Sequence, residues 1–105
     1  MHDGRVRQAR LGLSGQTVPL DVRLRRRLGL TQASGVLVAE LLPDGPGAHG
    51  GLAAGDIVLA LDGVAIGGVD DLHRALTGEK AGQEVALSVL RAAELRTVQV
   101  IAAAA

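Results

Sequence analysis

The dipeptide Asp62-Gly63 stands between two short apolar runs, Ile57-Val58-Leu59-Ala60-Leu61 and Val64-Ala65-Ile66. A two-residue connection of this kind needs positive φ at both central positions, which Asp and Gly tolerate, and it forces the flanking runs into an antiparallel hairpin. Similar punctuation recurs along the chain. Gly35-Val36-Leu37-Val38-Ala39-Glu40-Leu41 is a strand ended by Pro43-Asp44-Gly45. Val85, Leu87 and Val89 alternate, as do Val98 and Val100, and a turn across Ala92-Ala93-Glu94 makes them a closing hairpin. Residues 6–11 and 13–18 are two further strands, the second polar enough for a sheet edge and stopped by Pro19. The strands are joined mostly by short turns rather than by helical crossovers, so an antiparallel sheet is expected.

Helical spacing is confined to three places. Leu20, Leu24 and Leu28 recur at every fourth position, so residues 20–28 read as a helix with Gly29 as its stop. Val69, Leu72, Ala75 and Leu76 share one helix face, Asp70 and Asp71 suit its first turn, and Gly78 ends it. Residues 47–52 hold one short helical turn before Gly55-Asp56. The expected class is mainly β with α: a small, partly open antiparallel barrel or sandwich of five to seven strands, capped by two helices.

Composition narrows the function. A chain of 105 residues suits one domain. Lys+Arg and Asp+Glu both number 11, so the basic excess of a nucleic-acid binder is missing. No aromatic residue is present to stack on bases, and the core must be built from Leu, Val, Ile and Ala. There is no cysteine, hence no disulfide framework and no thiolate metal site. No apolar run reaches the roughly 20 residues of a membrane span, and no signal-peptide pattern opens the chain. Residues 1–4 and 102–105 are expected to be flexible termini around a domain of residues 5–101.

Several motifs resemble sites and lack the surroundings a site needs. Gly45-Pro46-Gly47-Ala48-His49-Gly50 matches G-x-G-x-x-G, but Gly55-Asp56 breaks the chain where a dinucleotide fold needs a long helix. Ser14 lies in Gly12-Leu13-Ser14-Gly15-Gln16, which is not a nucleophile elbow. His2, His49 and His73 are scattered and make a poor metal site. Arg23, Arg25, Arg26 and Arg27 fall on the outer face of the first helix, either as a solvated face or as a docking surface for an acidic partner.

The stretch Ala9-Arg10-Leu11-Gly12-Leu13-Ser14-Gly15 combines small residues with leucines ahead of an edge strand. Backbone N–H groups of such a loop can converge on an anion without any side-chain charge. The edge strand offers unpaired backbone groups to an added strand. Together they suit an extended peptide held by its C-terminal carboxylate, with Leu11 and Leu13 walling a pocket for its last side chain.

On these residues the chain resembles a PDZ domain, in the circularly permuted form of bacterial HtrA-type (Deg-like) serine proteases. Arg10-Leu11-Gly12-Leu13 is similar to the family's carboxylate-binding loop. The run from Gly51-Leu52-Ala53-Ala54-Gly55-Asp56 through Asp62-Gly63, then Asp70-Asp71-Leu72 and Val89-Leu90-Arg91, follows its pattern in order. The resemblance implies that the N–H groups of Leu11, Gly12 and Leu13 bind the carboxylate. It implies a groove between residues 13–17 and the helix of residues 69–77, lined by Arg10, Ser14, Gly15, Gln16, Thr17, Val69, Leu72, His73 and Leu76. Val69 at the helix's first specificity position implies an apolar third-last ligand residue. His73 is either a groove contact or an exposed helix residue, and Arg10 either a charge beside the carboxylate or a solvated arginine.

The implied function is non-catalytic capture of hydrophobic peptide or protein C-termini, with micromolar affinity of about 8 kcal/mol and no cofactor or metal. The implied setting is the substrate-recruiting or regulatory domain of an extracytoplasmic bacterial protease. The alternatives are a structural domain that holds a protease oligomer or docks on its own protease domain, and the PDZ module of another peptidase class.

Overall fold

The structure, a computed structural model, describes residues 9–104; the first three residues of the strand expected at 6–11, the terminus expected to be flexible at 1–4 and His2 lie outside them. Strand β1 (Ala9–Arg10) leads into β2 (Leu13–Pro19), helix α1 (Val22–Leu28) and β3 (Ser34–Leu41). Helix α2 (Pro46–Gly50) precedes the hairpin of β4 (Ile57–Leu61) and β5 (Val64–Ala65). Helix α3 (Val69–Ala75) and a 3-10 turn (Gly78–Lys80) lead to the hairpin of β6 (Glu84–Arg91) and β7 (Glu94–Ile101), and β8 (Ala103–Ala104) closes the described chain.

Six of these strands form one antiparallel sheet of order β2-β3-β4-β6-β7, with β5 paired to β4. The sheet does not close into a barrel, and β2 and β7 are its edges. The expected hairpin at Asp62-Gly63 is present, with φ of +50° and +84°. Asp62 also fastens it: its carboxylate accepts the Ala86 N–H at 2.8 Å and Lys80 Nζ at 2.7 Å. These two bonds hold its carboxyl below the ordinary range.

The two faces of the sheet are covered separately. On one face Val36, Val38, Val58, Leu61, Leu87, Val89 and Val100 pack with Ile66, Leu72 and Leu76 into the main core. On the other, α1 lays Leu24 and Leu28 against Leu20, Leu59 and Leu90. Asp21 caps α1 through its side chain on the Arg23 N–H at 2.7 Å, and Gly29 ends it in the left-handed region.

Several expectations are corrected. Of the tail expected to be flexible, residues 102–105, the structure describes Ala102–Ala104. Ala102 is buried, and Ala103 and Ala104 pair with Arg10 and Ala9. The third helix stops at Leu76, not Gly78, which starts the 3-10 turn. The closing hairpin turns on Ala92 and Ala93 alone, at φ of +51° and +64°, and Glu94 is already paired with Arg91. The arginines of α1 are not a uniformly solvated face: Arg27 donates to the Ala93 carbonyl at 2.9 Å, and Arg25 Nε is buried without a partner.

The residue pair that anchors the fold was not apparent as a pair in the sequence. Asp56 is 1% exposed. Arg91 grips it with both ends of the guanidinium fork, Nε to Oδ1 at 2.7 Å and NH2 to Oδ2 at 2.6 Å. The Ala53 N–H donates to Oδ2 at 2.9 Å, and Arg91 also reaches the Gly51 carbonyl at 2.8 Å, just past α2. Burial pushes the Asp56 carboxyl up, but the Arg91 and Ala53 hydrogen bonds and the Arg91 charge outweigh it and leave it below the ordinary range.

Candidate functional site

A groove of about 510 Å³ runs between β2 and α3. Arg10, Leu11, Gly12, Leu13, Ser14 and Gly15 line one side of it, and Val69, Leu72, His73 and Leu76 the other. Leu11, Leu72 and Leu76 are almost fully buried, so they form an apolar floor, while Arg10, Ser14 and His73 are exposed at its rim.

The loop at the head of the groove is set by its carbonyls. The Leu11 carbonyl accepts the Gly47 N–H of α2 at 2.8 Å, and the Gly12 carbonyl accepts the Leu42 N–H at 2.9 Å. In a trans peptide unit the carbonyl and the following N–H point in opposite directions. The N–H groups of Gly12 and Leu13 are therefore turned together to the side away from α2 and β3. Gly12 makes this turn possible. Its φ is +70°, and a Cβ there would stand 3.0 Å from Pro46 Cδ and 3.2 Å from Gly45 Cα. Paired N–H groups of this kind form an anion-binding concavity.

Among the described residues, the edge beside the loop has no further strand paired to it. Val38 spends its own N–H and C=O on the β4 side, with the Asp56 carbonyl and the Gly55 N–H, both at 2.8 Å. Its β2 partner Gly15 therefore keeps both of its backbone groups on the outer side of the strand. Leu13 does the same: it faces Leu41 next to the Gly12–Leu42 bond, the position where an antiparallel pair exchanges no hydrogen bonds. Leu13 and Gly15 thus present alternating donors and acceptors along the groove.

Gln16 and Thr17, expected in the groove, are not among the residues lining this cavity. Thr17 Oγ1 accepts the N–H of Val69 at 3.0 Å, so β2 and the start of α3 touch there. A Cβ at Gly68 would stand 3.0 Å from that Oγ1, which shows how close the two elements come. Ala9, Val36, Glu40, Leu41 and Leu42 also line the groove and were not anticipated. Leu41 and Leu42 follow directly from the apolar run of β3, so that signal was available in the sequence; Glu40 depends on an irregularity of β3 that was not.

The G-x-G-x-x-G stretch is a five-residue helix ended by Gly51 in the left-handed region. Its role is to buttress the loop: a Cβ at Gly47 would stand 2.9 Å from the Leu11 carbonyl oxygen.

Comparison with known proteins identifies the family and the fold. Residues 7–101 match the PDZ domain family. Two curated relatives, from Halomonas elongata and Pseudomonas fulva, are 39% and 38% identical over 94% and 92% of this chain. Both bear the name probable periplasmic serine endoprotease DegP-like, and the chain spans 20% of the length of each. Among solved structures, the HtrA-type protease AlgW with a decapeptide superposes with a TM-score of 0.76 at 27% identity, over 97% of this chain and 31% of that one. The HtrA3 PDZ domain bound to a phage-derived ligand shares the fold, with a TM-score of 0.69 at 20% identity over 94% of this chain and 88% of its own. The chain belongs to the PDZ domain family, in the form found in HtrA-type serine proteases.

Proposed function

We propose that the groove captures the C-terminus of a peptide or protein by strand addition. The observation that carries this reading is the open edge at Leu13 and Gly15, lying between an anion-binding loop and an apolar floor. The ligand's carboxylate sits on the N–H groups of Gly12 and Leu13, with Leu11 as the third donor by analogy with the family. Its last side chain enters the pocket of Leu11, Leu72 and Leu76, where burying an aliphatic side chain contributes about 1.5–3 kcal/mol. Its backbone pairs with Leu13 and Gly15. Val69 meets the third-last residue and favours an apolar one there, with His73 beside it, and Arg10 adds positive charge at the rim.

The relatives are about five times longer and are named as periplasmic proteases. We extend that setting to this chain: a non-catalytic, extracytoplasmic module that recruits substrates to a protease domain, or regulates it, with oligomerisation through the parent protein. No step of this reading needs a cofactor, a metal or nucleic acid.

The test is a library of peptides with free C-termini, followed by the best binder with its carboxylate amidated. Free-acid binding that is lost on amidation and in Gly12→Pro supports the reading. Proline cannot adopt positive φ and removes the N–H. Equal binding of acid and amide refutes it.

A further inference from the structure

Glu40 owes its position to a break in strand alternation. Val36 and Val38 are fully buried, so an unbroken period of two would turn Glu40 into the apolar core. The β2–β3 register shifts between Ser14 and Gly15: Ser14 faces Glu40, Gly15 faces Val38, and Ala39 is the extra residue. After this bulge Leu41 packs against the core and Glu40 is exposed. Bulges re-aim side chains in this way. Glu40 borders the groove, and among the described residues its side chain has no hydrogen bond or ion pair.

The inference rests on the peptide reading above. A strand added at the edge of β2 bonds Leu13 with its last residue and Gly15 with its third-last, so its penultimate residue lies opposite Ser14. Directly opposed residues share a face of the sheet. The penultimate side chain, Ser14 and Glu40 therefore form one row across three strands, on the face away from α3. Strands lie about 4.8 Å apart, which puts the ligand and Glu40 backbones about 10 Å from each other. Ser14 between them is short. A lysine or arginine side chain from one end and the glutamate side chain from the other together bridge that distance; a short ligand side chain does not reach, and an acidic one is repelled. Arg10, the basic residue of the groove rim, belongs to β1 and stands outside this row. We propose that Glu40 is a specificity determinant that selects a basic penultimate residue in the ligand.

The test uses the 105-residue chain and fluorescently labelled peptides that differ only at the penultimate position, as Lys, Gln or Glu. Binding is read by anisotropy at low and at high salt, with an amidated Lys peptide as control. The Lys peptide is expected to bind about two- to five-fold tighter than the Gln peptide, and the Glu peptide weaker by a similar factor. High salt narrows the spread. Glu40→Lys inverts the order, and circular dichroism checks that the variant stays folded. Free-acid binding with no dependence on penultimate charge, or an order that survives Glu40→Lys, overturns this inference alone. Equal binding of acid and amide, or no binding at all, overturns the peptide reading and this inference with it.

Discussion

The Asp56–Arg91 pair makes a sharp prediction because its two halves differ in exposure. Asp56 is 1% exposed, whereas the Arg91 side chain keeps 32% of its surface in water. In Asp56→Asn the guanidinium can turn to solvent, but its charge-assisted fork is lost. Hydrogen bonds to charged groups contribute about 1.5–3 kcal/mol each and ordinary ones about 1. Asp56 accepts two of the first kind and one, from Ala53, of the second. An Asn side chain retains part of this set, so the expected loss is about 3 kcal/mol. For a domain of this size that lowers Tm by about 12 °C or more.

The pH dependence separates the partners. The folded Asp56 pKa is depressed below its ordinary value of 3.8. Its stabilisation is therefore complete above that value and fades as pH falls through the folded pKa. The deficit of Asp56→Asn against the parent chain stays level from neutral pH downward and shrinks only below about 3.9. Arg91→Ala behaves differently. It leaves a buried carboxylate with only the Ala53 N–H, so burial raises the folded pKa. A raised pKa favours the fold when the group is protonated, so this variant regains stability relative to the parent already in mildly acidic solution, above pH 4 or so. Denaturant melts across pH measure both curves. A loss below about 1 kcal/mol in Asp56→Asn, or parallel pH curves for the two variants, would refute this account of the pair.

Gly47→Ala places a methyl group 2.9 Å from the Leu11 carbonyl oxygen and 3.1 Å from Leu41 and Leu52 side chains. Overpacking of this kind costs about 1–3 kcal/mol, and because it moves the loop, peptide affinity measured by anisotropy should fall by more than the change in stability alone explains. Ala93→Gly relieves a left-handed residue at φ of +64°. A side chain in that region costs about 1–2 kcal/mol and the extra freedom of glycine returns part of it, so thermal melting should show a gain of up to about 1 kcal/mol.

Local signals explain why much of the architecture was legible beforehand. The Asp62-Gly63 turn, the four-residue leucine spacing of α1 and the alternation of β6 each follow from chemistry within a few residues. The carboxylate loop was legible because Gly12 and its flanking leucines carry a recognisable pattern. What escaped depends on contacts between distant segments. Asp56 and Arg91 are 35 positions apart, and nothing near either residue marks the other as its partner. The Ala39 bulge is a property of the β2–β3 pairing, and alanine is no local sign of it. Thr17 read as a groove residue because it lies on the edge strand; its contact with the start of α3 appears only when both elements are in place. Ala103 and Ala104 have little side-chain character, and their order comes from pairing with β1.

The juxtaposition of β1 and β8 has a mechanical consequence. Among the described residues, Ala9 stands opposite Ala104 and Arg10 opposite Ala103. Tension applied through the two ends would load these pairs one after the other, as a zipper, and leave the six-stranded sheet unloaded at first. Ala9 is also held by its N–H on the Leu76 carbonyl at 3.0 Å, a link loaded together with the first pair. Leu76 is part of the groove floor. A pull on the flanking chain therefore loads the backbone of a residue whose side chain floors the groove.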